Sequence, residues 1–350
     1  MPLPVRAGAA PIVSVSAGAL LSLAALTGLA APPSDFSPAF ASLLSSDLKF
    51  TSAELVDLSR GKVVKHNLSA TAPGEVAAVG AVRISANRQA FVESYRDIAR
   101  FKQAPDVLQI GRFSSPPALD DLGPLTVGRD DADLRDCKVG DCDVRLPADA
   151  IARFQRDVDW SAPDANARAA ELYKRLLFEG VRGYVTGEHR MTEYDDDKKP
   201  VRPVEDFAGV LKNSPYIGRL VPELPRYLEA FPAAHLQAAE DFLYWSKEKF
   251  GIAPFISVTH VTMTRDAAGN DVLTSKDVYS SRYFDASLTV TVASDAMGAP
   301  GNFYLVYVNR SRANALKGVF AGLRRSIVER RAKGALDENL KRIKQRLETR

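Results

Sequence analysis

The residues able to do chemistry are few and scattered along this chain of 350 residues. Its four histidines, His66, His189, His235 and His260, share no short motif with one another or with a carboxylate at metal-ligand spacing. No serine sits in a G-x-S-x-G elbow, and there is no Gly-rich phosphate loop. GAPGN at 298–302 is short and precedes a strand-like run, so it reads as a hairpin turn. The acidic run TEYDDDKKPVRP lacks the calcium-loop pattern and reads as a solvated loop. Hydrolase and metal chemistry therefore have no motif to rest on, and no cofactor is expected.

What remains points to recognition. His260, in FISVTHVTM, alternates with Ile256 and Val258 on one strand face. It is either a polar anchor at the bottom of a pocket or a core histidine satisfied by a backbone carbonyl. Arg282, in SSRYFDAS, needs Asp285 or the acidic head of a ligand if it is buried. Tyr279 and Tyr283 are expected to share one strand face, and Phe303 and Tyr307 another. A ring carrying one hydroxyl suits an amphiphile, and it suits an ordinary β-core equally. Gly318 and Gly322 predict close approach of the last helix to the sheet or to a ligand. Cys137 and Cys142 flank Gly140 in DCKVGDCDV, with no haem, zinc or C-x-x-C redox motif around them. They are expected to bridge a hairpin tip in an oxidising compartment, two free thiols being the alternative.

The composition, 46% apolar and 25% charged, supplies a sizeable core. The net charge of +3 does not by itself call for nucleic acid, but its distribution is uneven. Residues 310–350 carry 13 Lys or Arg against 4 Asp or Glu, a local +9 that leaves the rest at −6. At the other end, Arg6 precedes an uncharged run over 11–31 and the break APPSDFSP. That layout predicts a secretory signal cleaved near Ala30 or Ala31 and an exported protein, periplasmic or secreted. An uncleaved N-terminal membrane anchor is the alternative.

Between these ends the pattern alternates. Short helices are expected over 36–58 and strands over 62–68 and 74–84, the second with a small-residue centre. Ser85 or Asn87 can cap a helix whose Phe91, Tyr95, Ile98 and Phe101 line one face. DVLQIGRF, PLTV and CDVRLP read as short β pieces. From 147 to 251 the pattern reads as helical, in three stripes. The first runs through Ala169, Leu172, Leu176 and Val181, and the second from Ile217 to Phe231. The third comprises Leu236, Ala239, Phe242, Leu243 and Phe250. Strands then resume as an antiparallel meander, followed by a long helix from about Ala313. That helix carries Leu316, Phe320, Leu323 and Ile327, then Leu336, Leu340, Ile343 and Leu347 beyond Gly334.

This order resembles the helix-grip layout of the START and polyketide-cyclase-like (SRPBCC-type) superfamily. The resemblance is carried by AVRISANRQAFVESYRDIARF at the front and NFYLVYVNRSRANALKGVFAGLRRSIV at the back. Arg96, Asp97, Ile98 and Phe101 occupy the place of the family's Asp at the end of a short apolar segment, without its following proline and tryptophan. The resemblance covers 74–147 and 253–333. It implies an α+β fold: a curved antiparallel sheet around a long C-terminal helix, with 148–251 as a helical insertion and 334–350 as a basic helical tail. It also implies an apolar cavity beneath that helix.

The expected function is binding of a hydrophobic or amphiphilic, lipid-like small molecule by an exported protein. Tyr279, Tyr283, Tyr307, Phe320, Leu323, His260 and Arg282 are the expected ligand-binding residues. The basic helix would meet an anionic membrane surface, and no nucleic acid is expected. Two alternatives stand beside this. One is a cyclase- or lyase-type enzyme using His260, Arg282 or a buried tyrosine in the same cavity. The other is an envelope or interaction protein with a filled core.

Overall fold

Runs rich in Val, Thr, Tyr and Phe become the central strands of this protein, where both faces of the sheet carry a helical layer. The computed structural model describes residues 35–70, 72–188, 193–250, 253–316 and 321–349, the side chains of 315 and 321–324 excepted. The signal-like segment 1–31, His189, Gly318 and Phe320 fall outside the described residues, as does the side chain of Leu323.

Helices α1 (Pro38–Ser42) and α2 (Ser52–Ser59) lead into strands β1 (Val64–Asn67) and β2 (Glu75–Ile84). Thr51 and Glu54 close a reciprocal capping box at the start of α2. Asn87 caps α3 (Arg88–Arg96) by accepting from the Gln89 N–H. Asp97 then interrupts the helix and caps α4 (Ile98–Phe101). The single helix expected here is thus two, yet Phe91, Tyr95 and Ile98 remain on one buried face. After β3 (Val107–Arg112) come α5 (Ala148–Asp157), α6 (Ala165–Thr186), α7 (Pro203–Lys212), α8 (Tyr216–Leu220) and α9 (Leu224–Ala230). Gly187, at φ 73°, ends α6 in the left-handed conformation that favours glycine. Strands β4 (Glu240–Lys249), β5 (Pro254–Arg265), β6 (Asp271–Ser280), β7 (Ala286–Asp295) and β8 (Phe303–Arg312) follow, and α10 (Ala321–Glu348) closes the chain.

All eight strands form one antiparallel sheet in the order β1-β2-β8-β7-β6-β5-β4-β3, curved and unclosed. β4 to β8 are a meander, and β8 returns to pair with β2, so the first and last strands of the core lie side by side. Alternation along each strand serves two faces. On the front, Val82, Ile84, Leu273 and Leu305 pack with α3, α4 and α10. On the back, Val290, Val292, Tyr304 and Val306 meet α1, α2 and α7–α9, while Leu243, Trp245 and Val258 meet α5 and α6. The architecture is α+β with the C-terminal helix packed against a curved antiparallel sheet, as the sequence led us to expect.

α10 docks through Leu336, Leu340 and Leu347. Gly80 of β2 makes the close approach possible: a Cβ there would stand 2.7 Å from Leu340 Cδ1 and 3.0 Å from Leu336. These leucines belong to 334–350, so the segment read as a basic tail is the part of the helix that seals the front face. Leu340 is fully buried. Leu340→Ala is expected to lower stability by about 2 kcal/mol, the low end for such a truncation because bare Gly80 lets the helix settle inward. A urea midpoint that does not move would mean that α10 is not docked in solution.

Three other expectations are corrected. The third helical stripe is strand β4, whose Phe242 and Tyr244 face front while Leu243 and Trp245 face back. A strand buried on both sides has no polar face, so its period cannot be told from a buried helix. The helices between β3 and β4 accordingly end at Ala230 rather than running to 251. PLTV and CDVRLP contribute no strand; only isolated bridges such as Lys138 to Asp141 occur near the second. Across that bridge Cys137 and Cys142 lie at disulfide distance, their Cα atoms 4.4 Å apart, with Gly140 turning the chain at φ 81°. Among the described residues no helix is long and apolar enough to cross a membrane.

Candidate functional site

The front layer does not fill the sheet's whole front face. Between α10, the α3–α4 pair and strands β4–β8 lies a cavity of about 510 Å³, within the usual range for small-molecule sites. The sequence explains the vacancy. Front-facing residues are apolar at one end of β7 and β8, at Ala293 and Leu305, but become Thr291, Thr289 and Ser287 further along β7. These side chains are too short to reach the helices. Along β8 the front-facing residues likewise turn polar, at Tyr307, Asn309 and Ser311.

Strand register turns these residues into rungs. Ser275, Thr289 and Asn309 lie opposite one another across β6, β7 and β8, and Ser287 lies opposite Ser311. Asn309 Nδ2 donates to Thr289 Oγ1 at 3.1 Å and to Ser287 Oγ at 3.2 Å. Ser311 Oγ lies 3.0 Å from Ser287 Oγ and 2.9 Å from Asn309 Oδ1. Tyr95 reaches down from α3 to Ser275 Oγ at 2.9 Å. Apolar walls flank this floor: Phe101 at the end of α4, and Phe250, Phe255 and Phe284 clustered with centroids 5.2–6.5 Å apart. The expected greasy gap is therefore amphiphilic, with a polar floor.

Charge in the cavity is largely self-compensated. Lys102, just after α4, lies 2.6 Å from Glu248 of β4, which also accepts from Ser246 at 2.6 Å. Burial by itself would lower the Lys102 pKa, but the Glu248 carboxylate outweighs it and holds the lysine well above its ordinary value. Burial likewise works to raise Glu248, and Lys102 more than reverses it. Asp277 differs. Burial pushes its carboxyl up to about 7, with Glu248 reinforcing the rise while the Thr259 hydroxyl, 3.1 Å away, and Lys102 oppose it. Burial also raises Tyr95, Tyr244 and Tyr307, which keep their hydroxyl protons. The arrangement can hydrogen-bond neutral polar groups, shelter hydrocarbon, and hold or release one proton near neutrality.

Of the residues read from sequence as ligand-binding, Tyr307 lines the cavity, its hydroxyl 3.2 Å from Thr289. Tyr279 does not. Val278 is an extra residue in the β5–β6 register, so the strand changes phase and Asp277 faces front while Tyr279 faces back. The Tyr279 hydroxyl lies 2.8 Å from that of Tyr173 and donates to the Arg145 carbonyl. Tyr283 lies past the end of β6 at φ 69°, its hydroxyl donating to the Ala253 carbonyl, so the two tyrosines share no strand face.

His260 is fully buried on the back, Nε2 2.8 Å from Asp241 and Nδ1 2.9 Å from the Tyr184 hydroxyl. Two side chains satisfy it rather than a backbone carbonyl. Burial lowers its pKa against the pull of Asp241. Arg282 donates to the Asp143, Pro254 and Asp130 carbonyls, whereas Asp285 pairs with Arg145 at 2.5 Å. It ties loops together and stands away from the cavity lining. Two cations of the final helix are similarly engaged. Lys344 binds the Arg83 carbonyl and Glu348, and Arg346 the Arg100 and Phe101 carbonyls.

Sequence reasoning missed Asp277, Lys102, Glu248 and the hydroxyl rungs. The available signal was ASLTVTVAS, where Ser287, Thr289 and Thr291 alternate with Leu288, Val290 and Val292. Among the described residues no group of His, Cys, Asp or Glu is placed to hold a metal ion. Comparison of the chain with family models, curated proteins and solved structures finds no match.

Proposed function

We propose that this protein is an exported carrier that holds one small amphiphilic molecule in the front cavity, beneath its C-terminal helix. The observation carrying this reading is the space of about 510 Å³ bounded by a polar strand floor and aromatic walls. A side-chain-filled front face would give an interaction protein no such room. Export is supported by the cysteine pair at disulfide distance and by the signal-like layout of 1–31.

Organic extraction of the purified protein, with native mass spectrometry before and after, tests the proposal. A stoichiometric lipid-like mass is expected, and Thr289→Trp, which projects a large ring into the cavity, should reduce it at least about tenfold. Protein that yields no lipid and takes up no amphiphile from a panel would overturn the reading.

Asp277 supports a second reading, conversion of the bound molecule by proton transfer, because it lines the cavity and burial pushes its carboxyl up to about 7. That reading requires Asp277→Asn to retain the ligand while abolishing its chemical change. An unaltered ligand after incubation with wild-type protein would exclude it.

A further inference from the structure

The cavity's charges select among amphiphiles. Lys102 is held by Glu248, and among the described residues no cation is bonded to the Ser, Thr and Asn rungs of β6–β8. Four carboxyl groups face or border the space: Asp106 just before β3, Glu248 from β4, Asp277 from β6 and Glu338 from α10. Arg342, also on α10, is the remaining bordering cation besides Lys102 and Lys249, and it reaches Asn339 at 3.4 Å. An anionic head seated on the rungs would have only neutral hydroxyl and amide partners there, Lys249 and Arg342 standing at the border beside Asp106 and Glu338. A cationic head at Asp277 would compete with Lys102, whose charge already acts on that carboxyl.

Neutral hydroxyl groups meet neither difficulty. The rung hydroxyls now bond chiefly to one another, and each can both donate and accept. A ligand hydroxyl can take over one partner without leaving a buried group unsatisfied. Adjacent strands repeat these groups every ~4.8 Å, so several hydroxyls on one head can be met together. We propose that the ligand's polar end is an uncharged, multiply hydroxylated group, such as a sugar or glycerol head, seated on the Ser287, Thr289, Asn309 and Ser311 rungs with its hydrocarbon along Phe101, Phe250, Phe255 and Phe284. This rests on the carrier reading above and adds the ligand's class to it.

Full-length protein, delipidated and in slightly acidic buffer, is titrated with octyl glucoside, octanoate and octylammonium below their micelle concentrations, by calorimetry. Octyl glucoside is expected to bind at least about tenfold more tightly than either ion. The near-isosteric Thr289→Val/Asn309→Leu variant should lose that preference, with its urea midpoint reporting that it still folds. Octanoate or octylammonium binding as tightly as the glucoside overturns the ligand class while leaving the carrier reading standing. Binding of none of the three overturns both.

Discussion

Glu75→Gln is expected to destabilise the protein by about 3–5 kcal/mol, the cost of leaving buried charge without its counter-ion. Glu75 opens β2 and is fully buried. One carboxylate oxygen accepts from Arg310, and the other from Arg312 at 3.3 Å and from Asn213 Nδ2 at 2.8 Å. Both arginines are on β8, Arg312 directly opposite Glu75, and Asn213 is the C-cap of α7. One carboxylate therefore joins the sheet's central pairing to the helical layer behind it. Arg312 reaches Asp206 only at 3.5 Å, so it has no equal substitute for Glu75. Glutamine keeps the shape and one acceptor but leaves the guanidinium of Arg310, 6% exposed as a residue, without its charge partner. Urea unfolding of the variant reads the loss directly. Replacing Glu75, Arg310 and Arg312 together by Leu and Met should restore most of it, since no charge is then stranded. A single variant within about 0.5 kcal/mol of wild type would mean that water reaches this network.

That network also shows what sequence periodicity can and cannot carry. The strands β2 and β5–β8 were legible because β-branched and aromatic residues run to their ends and break at turn residues. Asn87 and the Phe91–Phe101 stripe announced α3 and α4. β4 escaped because burial on both faces removes the polar alternation that identifies a strand. Pairings across the fold escaped for another reason. His260 sits on the strand face that alternation assigns, but its partners Asp241 and Tyr184 lie 19 and 76 positions away. The phase change at Val278 is a single unpaired residue, and nothing in DVLTSKDVYS distinguishes it from regular strand. Tyr279 was thereby credited to the wrong face and Asp277 overlooked.

The hydroxyl rungs present the sharper lesson. Ser287, Thr289 and Thr291 opposite Leu288, Val290 and Val292 is the pattern of a sheet with one wet face. A strand cannot report whether its polar face meets bulk water or a partly open space roofed by a helix at the other end of the chain. That distinction depends on α10 lying against Gly80 and on α3 and α4 beside it, all contacts between distant segments.

Asp277→Asn should make the protein more stable than wild type at about pH 8, by about 2–4 kcal/mol, and leave it unchanged near pH 4. The sign follows from proton counting. At the acid end both folded and unfolded chains keep the Asp277 proton. Between the ordinary value of 3.8 and about 7, the unfolded chain loses it while the folded chain retains it. Stability then falls by about 1.4 kcal/mol per pH unit, and above the folded value the loss is complete. Asparagine keeps the oxygen that accepts from Thr259 and has no proton to lose. The surrounding charges, Lys102, Asp106, Glu248, Lys249, Glu338 and Arg342 with the hydroxyls of Tyr95, Tyr244 and Tyr307, are common to both proteins. The difference between their pH profiles of urea stability therefore isolates Asp277. A flat difference profile would place the carboxyl in effective contact with water and remove the basis for its proton exchange. A rising one would identify a residue that weakens the fold at neutral pH while facing an open cavity. Such a cost at a site lacking a structural ion pair is the trade-off expected where a group serves the ligand rather than the fold.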